Sequence, residues 1–111
     1  MKVFAQTVNL KDDPEVIAKY KKYHSEIWPE VSEALKQVGI LEMKIFLLGR
    51  RLFMYATATD EFVPERDFPK YLELHPRCQE WEDQMGEYQE PVEEAGPGEK
   101  WAMMEQVFDL D

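Results

Sequence analysis

A chain of 111 residues can build one hydrophobic core and has no room for a second, so residues 1–111 are expected to form a single domain. It is 44% hydrophobic and 32% charged, and no apolar run approaches the roughly 18 residues that span a bilayer, which excludes a membrane-spanning protein and predicts a soluble globular one. Its 23 acidic residues against 13 basic give a net charge of −10, a field that repels phosphate backbones and anionic lipids, so neither nucleic acid nor membrane is an expected partner.

Val3 to Val8 is rich in β-branched and aromatic residues and reads as a first strand. Asn9 to Asp13 supplies a turn and a cap, and Pro14 suits a first helical position because its missing N–H would have no partner there. Val16, Ile17, Tyr20, Tyr23, Ile27, Val31, Leu35 and Val38 then step by three or four, an amphipathic helical stripe. Pro29 clashes with the carbonyl four residues back, so the helix should kink or restart there, and Gly39 should close it.

Glu42–Leu48 and Leu52–Thr59 read as strands joined by a tight hairpin turn at Gly49-Arg50. Leu52-Phe53-Met54-Tyr55-Ala56 does not alternate apolar with polar, which predicts that both faces of that strand are covered, one by helices and the other by a second copy of the chain. Thr59 to Arg66 reads as an acidic loop. A second helical region is expected from Pro69 and again from Pro76, carrying Cys78, Trp81 and Met85 before Gly86. Glu87 to Lys100 shows no period and holds Pro91, Gly96, Pro97 and Gly98. Such a long loop points to a lid or a dimer contact. Trp101 to Asp109 returns to a strand pattern, and the order β-α-β-β-α-β predicts a ferredoxin-like α+β fold.

Little in the chain supports metal chemistry: the two histidines lie about fifty residues apart, and Cys78 is the single cysteine. No glycine-rich phosphate loop is present. Cys78 sits on an apolar stripe and reads as a small buried hydrophobe, and with no disulfide partner and no signal-peptide pattern at the start, a reducing cytoplasm is expected. Tyr20, His24 and Trp28 are more informative. At intervals of four they share one helical face, where an imidazole between large rings could handle the protons of a flat hydroxylated molecule. Taken alone, His24 still reads as a helix histidine with a local hydrogen bond and Tyr20 and Trp28 as core, while Trp81 suits core packing and ligand stacking equally. His75, before Pro76, reads as an exposed loop residue. Glu105 and Gln106 alternate on the last strand, so one should face the helices and need a partner.

Tyr20-x-x-x-His24 followed by Ile27-Trp28-Pro29-Glu30 resembles the signature of the L-rhamnose mutarotase family, and Leu52-Phe53, Cys78-Gln79-Glu80-Trp81 and Val107-Phe108 resemble its later blocks in the same order. The resemblance covers nearly the whole chain. It implies a dimeric ferredoxin-like α+β barrel and a cofactor-free isomerase that interconverts the α and β anomers of a 6-deoxy-L-sugar. His24 matches the family's proton-donating histidine, Tyr20 its substrate-binding tyrosine and Trp81 the first of a tryptophan pair lining the sugar pocket. Two substrate-binding positions depart: Glu82 stands for the second tryptophan and Met43 for a sugar-contacting tyrosine. The catalytic helix is kept while the pocket wall changes, which makes L-fucose a competitor to L-rhamnose. Beside Pro29, Trp28 reads as a packing residue at a helix kink, so Trp81 becomes the expected stacking ring.

Mutarotation opens the ring by protonating the ring oxygen and taking the proton of the anomeric hydroxyl, and one acid and one base suffice. Glu105 and Tyr55 are the candidates for the second group by strand position. Two other readings are a cofactor-free dimeric ferredoxin-like monooxygenase, expected to have a mostly apolar pocket, and a non-catalytic small-molecule binding module.

Overall fold

The computed structural model describes residues 1–111. The elements run β1 (Lys2–Leu10), α1 (Pro14–Ser25), α2 (Pro29–Gln37), β2 (Ile40–Leu48), β3 (Arg51–Ala58), α3 (Pro64–Glu73), α4 (Pro76–Tyr88), β4 (Gln89–Glu90) and β5 (Ala102–Met104). The sheet is antiparallel, ordered β2-β3-β1-β4, with β5 also on β1. It is the ferredoxin-like α+β fold, with four helices as a layer on one sheet face. None of them is long and apolar enough to cross a membrane.

Four helices begin at a proline, which loses nothing where the N–H has no intrahelical partner. Asp13 caps α1 by accepting the Glu15 N–H at 2.9 Å, and Trp28 takes the extended conformation that Pro29 imposes and becomes the N-cap of α2. Gly39 follows α2 at φ +114°, where a Cβ would also meet Thr59 Oγ1 at 2.9 Å. Leu48 pairs with Arg51 across a two-residue turn, with Gly49 at φ 61°. Arg50 then donates to the Leu10 carbonyl and to Glu90, both at 2.9 Å, tying the end of β1 to β4.

The core lies between helices and sheet: Val8, Leu10 and Leu52 from the strands meet Tyr20, Val31, Ala34, Tyr71, Cys78, Trp81, Met85 and Tyr88 from the helices. Cys78 is fully buried, as its place on the apolar stripe predicts. A smaller cluster joins Phe4, Phe62 and Phe68, with Phe4 stacked on Phe62 at 5.8 Å.

Four expectations need correction. The second helical region starts at Pro64, not Pro69, which lies inside α3. A side chain further along supplies what no cap residue does: Asp67 reaches back to accept the Val63 N–H at 2.8 Å while Arg66 brackets its carboxylate. Helix α4 runs through Gly86 to Tyr88 rather than stopping, because Gly86 keeps a helical φ and serves close approach instead of termination. His75 is exposed between the helices, as expected, and its Nδ1 accepts the Arg77 N–H at 3.0 Å, capping α4. The last strand spans only Ala102–Met104; beyond it Val107, Phe108 and Leu110 find no apolar surface on their own chain and are 73–89% exposed. Glu105 and Gln106 are therefore exposed on the tail, and neither faces the helices.

Strand β3 is covered by helices on one face; on the other only Thr57 is buried. Leu52, Met54, Ala56 and Ala58 are buried under the helices, whereas Phe53 and Tyr55 on the other face are half-buried by sheet neighbours alone. Register places Val3, Phe46 and Leu48 on that same bare face, at 44%, 55% and 86% exposure.

Candidate active site

A cavity of about 360 Å³ lies between the helical layer and the sheet, within the size range of small-molecule sites. Its walls are mostly apolar, built from Val31 and Leu35 of α2, Met43 and Ile45 of β2, Met54 of β3, and Phe68, Pro69 and Leu72 of α3. The polar groups reaching it are Gln6, Tyr20, His24, Tyr71, Glu82, Gln89 and Lys100.

Tyr20 and His24 are one helical turn apart, and their rings stack at 4.2 Å. Trp81, from α4, meets the imidazole edge-on at 5.1 Å, so His24 is held between a phenol and an indole. His24 Nδ1 lies 3.0 Å from the Tyr20 carbonyl. A carbonyl can only accept, so Nδ1 carries the proton in this bond and Nε2 is left free. Burial pulls the imidazole below its ordinary pKa, with the bond to the Tyr20 carbonyl working partly against it. The resting ring at neutral pH is therefore neutral, with a lone pair on Nε2.

Burial holds the Tyr20 phenol far above its usual range, partly opposed by the Gln89 amide beside it, so Tyr20 stays a neutral hydrogen-bonding group. Tyr71 is held neutral in the same way, by burial and then by the nearby Cys78 thiol and Glu82. Glu82 follows Trp81 on α4. Burial pushes its carboxyl up, the Lys100 ammonium pulls it down, and Asp83 pushes it up again. Lys100 comes from the far end of the long loop and crosses α4 at Gly86, where a Cβ would stand only 2.6 Å from its Nζ.

The structure thus brings Tyr20, His24, Met43, Trp81 and Glu82 to one cavity. Trp28 is not among the lining residues; it packs on Trp81 at 5.1 Å, with the Arg77 guanidinium 3.6 Å above its ring. Glu105 and Tyr55 do not line the cavity either: the first is exposed on the tail and the second lies on the opposite sheet face. Sequence reasoning missed Gln6, Gln89, Lys100, Trp101 and the α3 wall. Gln6 carries a signal, being the polar member of Phe4, Gln6, Val8 and Leu10 along the helix-facing side of β1. Lys100 and Trp101 follow an aperiodic loop, and no local pattern marks them.

The L-rhamnose mutarotase family description matches residues 3–110. The chain belongs to that family. Among mutarotase-family relatives, an L-fucose mutarotase of Xanthomonas campestris pv. campestris is 37% identical over 112 residues, covering 99% of this chain and 89% of the relative. A UPF0734 protein of Dictyostelium discoideum is 47% identical over 113 residues, covering 99% and 90%. Among solved structures, an L-rhamnose mutarotase from Formosa agariphila superimposes with a TM-score of 0.71 at 21% identity, covering both chains in full, and so shares the fold.

Proposed function

We propose that the chain acts as one mutarotase domain that interconverts the α and β anomers of a 6-deoxy-L-sugar, L-rhamnose or L-fucose, without a cofactor. The observation that carries this reading is His24, neutral and with a free Nε2, held between Tyr20 and Trp81 at a cavity in a chain of this family. Nε2 takes or returns the proton of the anomeric hydroxyl, a transfer that at a positioned group contributes on the order of 10²–10⁴ in rate. The Tyr20 hydroxyl orients a sugar hydroxyl, and the Trp81 ring stacks on the apolar face of the pyranose. Met43 and Glu82 form the part of the wall that selects the sugar. The apolar lining alone would also suit a monooxygenase, but the convergent polar groups and the family favour the mutarotase.

The functional unit in this reading is a cytoplasmic homodimer. Supporting the dimer are the apolar sheet face with Val3, Phe46 and Leu48 exposed, and the exposed tail residues Val107, Phe108 and Leu110, a larger apolar display than single scattered residues give. Saturation-transfer NMR on each sugar, with and without protein, tests the activity. Faster anomer exchange is expected for at least one of the two, and no acceleration of either refutes it.

A further inference from the structure

We propose that Glu82 is the second proton-transfer group of the reaction, the partner of His24, and that Lys100 is the positioning charge that governs it. This rests on the mutarotase reading and supplies the one role it leaves open. Glu82 is next to Trp81 on α4, and the Trp81 ring is 5.1 Å from His24, so both titratable groups face one cavity from two different helices. Glu82 lines the cavity, and no buried polar side-chain atom of the protein lacks a partner, so its oxygens are open to what the cavity holds. Lys100 lines the same cavity, and its Nζ lies against Gly86, one helical turn beyond Glu82 on α4, which puts an ammonium on the Glu82 side of the pocket without a direct ion pair; Asp83 is the other charged neighbour, and Tyr20 from α1 and Tyr71 from α3 face it as neutral phenols.

The step balances without a co-reactant. As the bond between the anomeric carbon and the ring oxygen breaks, the electron pair leaves with that oxygen, which takes the Glu82 carboxylic proton. His24 Nε2 removes the proton of the anomeric hydroxyl, whose electrons become the aldehyde carbonyl. The Glu82 carboxylate so formed sits in the field of the Lys100 ammonium. After the aldehyde turns, the chain hydroxyl attacks the other carbonyl face, its proton returns to Glu82, and His24 gives its proton to the new anomeric oxygen. Nothing is consumed, and the pair ends one turnover as it began.

This predicts a bell-shaped pH profile for exchange, because the active pair holds one proton between the two groups. Glu82→Gln keeps the shape and cannot titrate: exchange should fall by about 10²–10⁴ and the alkaline limb should vanish. Glu82→Asp should retain both limbs at reduced rate. Lys100→Met should move the alkaline limb to higher pH, since removing an ammonium makes a carboxyl harder to ionise. Saturation-transfer NMR on L-rhamnose and L-fucose between pH 5 and 9 reads all three. Exchange by Glu82→Gln within threefold of the unmodified chain, with both limbs intact, overturns the role of Glu82 alone. A limb that does not move in Lys100→Met overturns that of Lys100. Failure of the unmodified chain to accelerate either sugar overturns the mutarotase reading itself.

Discussion

Replacing Gly86 by alanine should make the protein more stable and a worse catalyst. Glycine inside a helix costs up to about 1 kcal/mol relative to alanine, and Gly86 lies within α4 at an ordinary helical φ, so the substitution should recover up to that amount. For a domain of this size that is a rise in Tm of about 4 °C. The new Cβ would sit 2.6 Å from Lys100 Nζ. Comfortable contact is near 3.5–4.0 Å, so the ammonium must retreat by about 1 Å, which the end of a flexible side chain does easily. The gain in stability is therefore kept while the charge beside Glu82 is displaced, and the alkaline limb of anomer exchange should move up in pH. Thermal unfolding with the pH profile of exchange measures both. A destabilised Gly86→Ala would show that Lys100 is not the group that yields. A stabilised protein with an unchanged profile would show that the ammonium does not act on Glu82.

His24→Ala should lower exchange by about 10²–10⁴ with sugar affinity within a few-fold, read by saturation transfer and by an NMR titration; unchanged exchange would remove His24 from the chemistry. Trp81 is 6% exposed and belongs to core and cavity together, so Trp81→Ala should cost about 3–5 kcal/mol in denaturant unfolding. The Arg66 guanidinium, followed by the Val63 N–H, holds the Asp67 carboxyl down to about 2. A carboxylate lowered in the folded state stabilises above its ordinary pKa and loses that contribution as pH falls toward 2, so the gap in Tm between the unmodified chain and Asp67→Asn should close between pH 5 and 2. Light scattering should give a dimer that Phe46→Glu, on the bare sheet face, converts to a monomer near 13.2 kDa; a monomer for the unmodified chain would refute the proposed assembly.

Where local chemistry decides the backbone, the sequence was readable: Pro14 behind Asp13, Trp28-Pro29 and Gly49-Arg50 each impose a conformation no distant contact needs to enforce. Tyr20 and His24 were readable for the same reason, their neighbourhood being set by the helical period. What escaped depends on residues far apart in the chain. Gly86 looks like a helix end until Lys100, fourteen positions on, is seen crossing it. Pro69 looks like a helix start until Asp67 and Arg66 are seen securing the one at Pro64. Alternation from Trp101 to Asp109 reports only that a segment could be half-covered, and nothing on its own chain covers Val107 and Phe108, so the strand ends at Met104. The resemblance marks Glu82, while the approach of Lys100 needs the fold to bring the loop end back over α4.

The bond from His24 Nδ1 to the carbonyl of residue 20 belongs to the main chain, not to a side chain. The imidazole's tautomer is thus set by the helix itself and is indifferent to what residue 20 carries. Tyr20 could be exchanged for another substrate-facing residue, and the lone pair on Nε2 would stay where it is. Recognition and proton transfer, though their rings lie in contact, can be altered independently, which leaves one helix free to serve different sugars with an unchanged base.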